Sequence, residues 1–171
     1  KKRPQRLPRM KKPKPPALHK AVELLARQEH STAKLREKLQ RRGYPAEEIE
    51  TALTRLTEKH YLDDEAACQR EFQYFYEGSA LSLRQICQKL LQRGFPSALV
   101  TACVPEDTAE REKGVAQKCL AQKFRTATPR EKMKVFLYRR GFSYTTCEQA
   151  AEAFLAEHPD WNAEEAHDFD E

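Results

Sequence analysis

Apolar residues recur at helical spacing along nearly the whole chain. From Ala17, Leu18, Ala21, Val22 and Leu25 fall at i, i+3, i+4 and i+7, one apolar helix face. His30-Ser31 interrupts the pattern, and Ser31 is a predicted N-cap. Leu35 and Leu39 then face inward on a short helix that stops at Gly43, placed as a C-terminal glycine should be. Pro45 starts the next helix, where a missing N–H costs nothing. Glu47 and Glu48 follow in its first turn, and Ile49, Ala52, Leu53 and Leu56 make its stripe. Three helices in about 45 residues result, the last two joined by a tight glycine turn.

The unit recurs. KLQRRGYP at 38–45 returns as KLLQRGFP at 89–96 and as FLYRRGFS at 136–143. Asp63-Asp64 predicts the cap of a helix running towards Gly78, with Phe72, Phe75 and Tyr76 as its bulky residues. Ser82 and Gln85 have capping-box spacing, and Ile86, Leu90, Gly94 and Pro96 repeat Leu35, Leu39, Gly43 and Pro45. The third copy predicts a long first helix from about Thr108 to Phe124. A second-helix cap follows at Thr128, Pro129 and Glu131, with Met133, Leu137, Gly141 and Phe142 at the repeat positions. Self-similarity at this period implies a tandem array in which each unit buries its apolar face on a neighbour. The expected fold is therefore all-α, three tandem three-helix repeats in an elongated, curved array. The divisions are a basic Pro-rich arm at 1–16, repeats at 17–62, 63–107 and 108–158, and an acidic tail at 159–171.

Charge sharpens this picture. Residues 1–16 hold eight Lys/Arg, five Pro and no acid, a composition expected to stay loosely extended. Residues 160–171 hold six acids and no Lys or Arg. Inside the repeats the second helices (34–42, 82–93, 129–140) carry 13 Lys/Arg against Glu37 and Glu131. The third helices (45–59, 96–107, 144–160) carry ten Asp/Glu against Arg55 and Lys59. Stacked repeats would align a basic stripe beside an acidic one, headed by Lys38, Arg41, Arg42, Lys89, Arg93, Arg139 and Arg140. Such a stripe suits a phosphate backbone or an acidic protein surface, with Arg gripping either bidentately. Each of these residues, taken alone, also complements a helix C-terminal dipole. Few of the aromatics are expected to be exposed, which favours backbone contact over base reading. Tyr44, Phe95 and Phe142, after the three glycines, are read as core.

Catalytic and metal chemistry find little support. The five Cys (68, 87, 103, 119, 147) have no two-residue spacing and read as reduced cytosolic thiols. The His are scattered, and no phosphate-loop, dinucleotide, nucleophile-elbow or zinc-protease motif occurs. The Asp63-Asp64-Glu65 cluster reads as a cap. No cofactor is expected. No apolar run approaches the ~18 residues of a membrane span, and no secretory signal is evident.

The order of motifs resembles the bacterial RecX family of RecA regulators. The resemblance rests on AVELLAR (21–27), STAKLREKLQRRG (31–43), YLDD (61–64), Arg84 to Gly94, and KVFLYRRGF (134–142), and covers about residues 17–157. One departure is the second repeat, where Ala80–Ile86 lacks the family's Gly-Pro before the helix. The resemblance implies a non-enzymatic, cytoplasmic protein that binds the RecA–DNA nucleoprotein filament. It also implies restraint of RecA's recombinase, ATPase and co-protease activities. Expected partners are thus RecA and single- or double-stranded DNA without sequence preference, with the protein monomeric. Two other readings fit the residues. One is a helical-repeat adaptor for an acidic protein. The other is a helix-turn-helix DNA-binding protein, against which stand the acidic third helices.

Overall fold

The computed structural model describes residues 14–161. The basic arm up to residue 13 and the acidic tail from residue 162 lie outside the described residues. Within them the chain is helical, without strands: α1 (Ala17–Leu25), α2 (Thr32–Gln40), α3 (Ala46–Glu58), α4 (Asp64–Gly78), α5 (Leu83–Gln92), α6 (Ser97–Ala102), α7 (Ala109–Lys123), α8 (Arg130–Arg139) and α9 (Tyr144–Ala156). A 3-10 turn, Pro159–Trp161, follows α9. The helices form two compact units, one ending at Leu62 and one beginning at Asp63.

In the first unit α1, α2 and α3 close around Leu35, Leu39, Ile49, Ala52, Leu53 and Leu56, as the period requires. The face of α1 differs from expectation. Ala17, Ala21 and Leu24 are buried, whereas Val22 is 49% exposed and Leu18 and Leu25 only flank the core. Ala17, Ala21 and Leu24 stand at i, i+4 and i+7, so the buried stripe is rotated from the expected one. Tyr44 is buried, and its hydroxyl donates to the Pro15 carbonyl at 2.9 Å.

The second unit contains two three-helix cores. Phe72, Phe75, Ile86, Leu90, Phe95 and Val100 fill the first. Its third helix is only six residues long. Pro105 cannot continue a helix and biases Val104 away from helical geometry. The second core gathers Leu120, Met133, Leu137, Phe142, Ala150, Ala151 and Phe154 from α7, α8 and α9. Trp161, expected in the tail, packs edge-on against Phe154 with ring centroids 5.6 Å apart. The expected cap at Thr128 does not form: its hydroxyl donates to the Thr126 carbonyl, and Pro129 occupies the N-cap without a side-chain bond. Glu131 has no reciprocal bond to make there, since proline offers no N–H, and it pairs with Lys134 instead.

The same turn ends α2, α5 and α8. Gly43, Gly94 and Gly141 take φ of +72°, +85° and +89°. In each case the glycine N–H bonds the carbonyl three residues back (Gln40, Leu91, Tyr138). The following aromatic N–H bonds the carbonyl five back (Leu39, Leu90, Leu137). This Schellman pair satisfies carbonyls left open at the helix end and tucks the aromatic onto the leucine it bonds.

Within the second unit, the segment before α5 holds α7 and the end of α8. The buried Ser82 accepts from the Gln85 N–H, completing a capping box, and donates to the Arg140 carbonyl at 2.7 Å. Glu112, buried on α7, accepts from the Leu83 N–H at 3.0 Å. Arg111 donates to the carbonyls of Tyr76 and Leu81, Arg140 to that of Ala80. A Cβ at Gly141 would lie 3.1 Å from Ser82 Oγ and 3.2 Å from Arg84 Cβ, whereas at Gly43 the nearest atom is Lys14 Nζ at 3.8 Å. Gly43→Ala should therefore cost the left-handed backbone penalty alone, ~1–2 kcal/mol, and Gly141→Ala clearly more. Urea melts of the two variants compare them. Equal losses would mean that Ser82 does not hold this turn.

Candidate partner-binding surface

The first unit concentrates cations at the end of α2. Arg41 is exposed and pairs with Glu37. Arg42 is exposed and donates to the Lys38 carbonyl at 2.8 Å. Lys38 is half-buried with Nζ 3.0 Å from His30 Nε2. Burial, then the nearby charges of Arg42 and Lys34, push its ammonium pKa down. Lys14 adds a cation that the helical pattern did not place: its Nζ lies 3.6 Å over the Tyr44 ring and donates to the Arg42 carbonyl. Lys34, bonded to Glu37 at 2.6 Å, completes the group. Five cations thus gather at this helix end, and three of them, Lys34, Arg41 and Lys38, act on Glu37, whose pKa is held down first by the Lys34 hydrogen bond.

The second unit treats its sequence-predicted cations unevenly. Lys89 is half-buried over the Phe75 ring, 5.1 Å from the centroid. Arg93 stands over the same ring at 5.2 Å and pairs with the nearly buried Glu71. Arg140 is half-buried above Phe136 and donates to Ala80. Arg139 stays exposed. Of the seven, Arg41, Arg42 and Arg139 are therefore most open to solvent, while Arg93 and Arg140 also secure the fold.

Part of the charge sorting has a structural cause. Arg36 on α2 forms a two-pronged bridge to Glu50 on α3, at 2.7 and 3.0 Å. Lys134 on α8 pairs with Glu148 on α9, which Arg130 also reaches at 2.7 Å. Arg36 and Glu50 stand seven residues before and after Gly43, as Lys134 and Glu148 do about Gly141. Repeat two has Cys87 and Thr101 there, and forms no such bridge. The Arg36 and Lys134 hydrogen bonds lower the pKa values of Glu50 and Glu148, and Lys134 is raised by bonding Glu131 and Glu148.

The described residues contain no His, Cys, Asp and Glu cluster of metal-binding kind. All five cysteines are free thiols. Cys68 and Cys103 approach to 3.8 Å between sulfurs, and burial pushes the Cys68 thiol up to about 12, away from nucleophilic thiolate. No described helix is long and apolar enough to cross a membrane.

An all-helical chain of three-helix cores, each ending its second helix in a glycine turn beside Arg or Lys, defines the class. The model of the RecX first three-helix domain matches residues 17–56. Regulatory protein RecX of Pseudomonas fluorescens is 36% identical over 127 residues, covering 72% of this chain and 81% of the relative. That of Syntrophotalea carbinolica is 32% identical over 140 residues, covering 77% and 91%. A crystal structure of regulatory protein RecX shares the fold with a TM-score of 0.69 at 22% identity, covering 80% of this chain and 70% of that one. RecX from Lactobacillus salivarius gives 0.65 at 15% identity, covering 81% and 94%. The chain belongs to the RecX family of regulatory proteins.

The depressed Glu148 carboxyl fixes a sign. Its pairing contributes stability above the ordinary value of 4.5 and loses it as pH falls through the lower folded value. Glu148→Gln should therefore reduce the thermal midpoint at neutral pH and shrink the loss below about pH 4.5. An acid-side melting profile identical to that of the unmodified chain would contradict this role.

Proposed function

We propose that this chain binds the RecA–DNA nucleoprotein filament and restrains RecA's recombinase, ATPase and co-protease activities, without catalysing a reaction itself. Support comes from its RecX family membership, since the relatives are named regulatory proteins. The observation that carries the reading furthest is the cation group at the α2 end, where Arg41 and Arg42 project into solvent from a helix terminus fixed by the Gly43 turn. Exposed guanidinium groups on a rigid helix end suit phosphate oxygens or surface carboxylates, in either order along a filament. The reading assigns DNA contact to backbone phosphates, without sequence preference. Of the third helices, α3 and α9 carry acids next to any phosphate they would approach, which argues against their insertion into a groove.

RecA ATPase on single-stranded DNA should fall with increasing protein, and unchanged ATPase at saturation contradicts the proposal. Arg93 and Arg140 brace the fold, so the informative charge reversal is Arg41→Glu, Arg42→Glu and Arg139→Glu together. That variant should melt normally and bind single-stranded DNA more weakly, its log–log salt slope flattened by up to about 2. Unchanged binding and slope would remove these side chains from the interface.

A further inference from the structure

Seven large hydrophobic side chains stand exposed among the described residues, and Val135, Tyr138 and Tyr144 line one groove between α8 and α9. The groove has a volume of about 520 Å³, and Arg139 stands at its rim. The two tyrosines are 64% and 66% exposed, so their ring faces are open rather than inserted in a core.

The repeat itself shows that packing does not demand these rings. Tyr138 occupies the place of Gln40 and Leu91 in the other copies, three residues before the turn glycine. Tyr144 occupies that of Ala46 and Ser97, three residues after it. Positions needed for folding are filled alike in all three copies: Leu39, Leu90 and Leu137, or Tyr44, Phe95 and Phe142, all buried. The tyrosine pair belongs to the third copy only.

Charge selects among occupants. α8 and the turn after it carry Arg130, Lys132, Lys134, Arg139 and Arg140 against Glu131 alone. The carboxylates near the groove, Glu131 and Glu148, are both bound by Lys134. Lys134 Nζ lies 5.4 Å from the Tyr144 ring centroid, which sets a cation beside the ring. An open aromatic face beside cations is what unstacked bases and their phosphates require of a single-strand binder. An aliphatic peptide anchor would want an enclosed pocket.

We propose that Tyr138 and Tyr144 form a stacking platform for bases of a single-stranded nucleic acid, with Arg139 meeting an adjacent phosphate. The proposal rests on the filament-binding reading and adds to it a contact with bases, made by shape and stacking rather than by sequence.

The test uses the full chain and two labelled oligonucleotides of equal length and charge, oligo(dT) and its abasic counterpart, read by fluorescence anisotropy. The unmodified chain should bind oligo(dT) more tightly, on the order of fivefold or more per stacked base. Tyr138→Leu with Tyr144→Leu should abolish that preference while leaving abasic affinity and salt slope unchanged. Tyr138→Phe with Tyr144→Phe should retain it. Equal binding of both oligonucleotides by the unmodified chain overturns the platform, as does a preference that survives the leucine pair. A leucine pair that binds oligo(dT) normally but no longer restrains RecA marks the groove as a protein contact and also overturns it. RecA ATPase measured alongside separates the readings: inhibition without base preference removes the platform alone, and no inhibition with no binding removes both.

Discussion

Three left-handed glycines set the geometry on which everything else in this chain depends. A helix of nine or ten residues has too few turns to be stable by propensity. Each second helix must be stopped sharply and its end carbonyls satisfied. Gly43, Gly94 and Gly141 do this with the same pair of backbone hydrogen bonds. The stop drives Tyr44, Phe95 and Phe142 into the core. It also leaves the residues just before the glycine on the rim, at the negative end of the helix dipole, where Arg and Lys are favoured. One backbone constraint therefore yields both the hydrophobic closure of each repeat and a set of cations at a fixed point on its surface.

The cations then divide by their neighbours. Where a shielded carboxylate or an aromatic ring lies within reach, the side chain is drawn into the fold, as with Arg93 at Glu71 and Phe75, or Lys134 at Glu148. Where none does, or only an exposed one does, the charge stays in water, as with Arg139 and Arg42. Exposed ion pairs contribute little stability, so Arg41 can leave Glu37 for a partner at small cost. The acids of α3 and α9 are in part the counter-charge of the second helices in the same repeats. That weakens the picture of two independent stripes and strengthens the picture of a few exposed Arg on a self-neutralised scaffold.

Much of this architecture was legible in the sequence because it is local. Caps at Ser31, Asp63 and Ser82, the turn glycines, and Leu35, Leu39, Ile86 and Leu90 all follow from spacing and backbone chemistry, and each is found as expected. What escaped is tertiary. The rotation of α1 onto Ala17, Ala21 and Leu24 is one case. Nothing in the spacing of the predicted 108–124 helix singles out Arg111 and Glu112, yet they bond the backbone around α5 from roughly thirty residues away in sequence. Glu112 did leave a faint trace, since it shares helical spacing with Val115, Ala116 and Cys119 on the buried face. Tyr138 lies inside the repeated motif and Tyr144 one residue past it, and only the fold shows that both rings stay exposed along one groove.

In the proposed function these parts serve a protein that acts by occupying a surface. Rigid helix ends present charge, one groove presents open rings, and the thiols are buried or half-buried. In that proposed role, this surface engages the RecA–DNA filament. Cosedimentation of the chain with preformed RecA filaments on single-stranded DNA tests it directly. The chain should pellet with the filaments in a saturable, salt-sensitive manner. A chain that stays in the supernatant at every ratio, while remaining folded by circular dichroism, would contradict it.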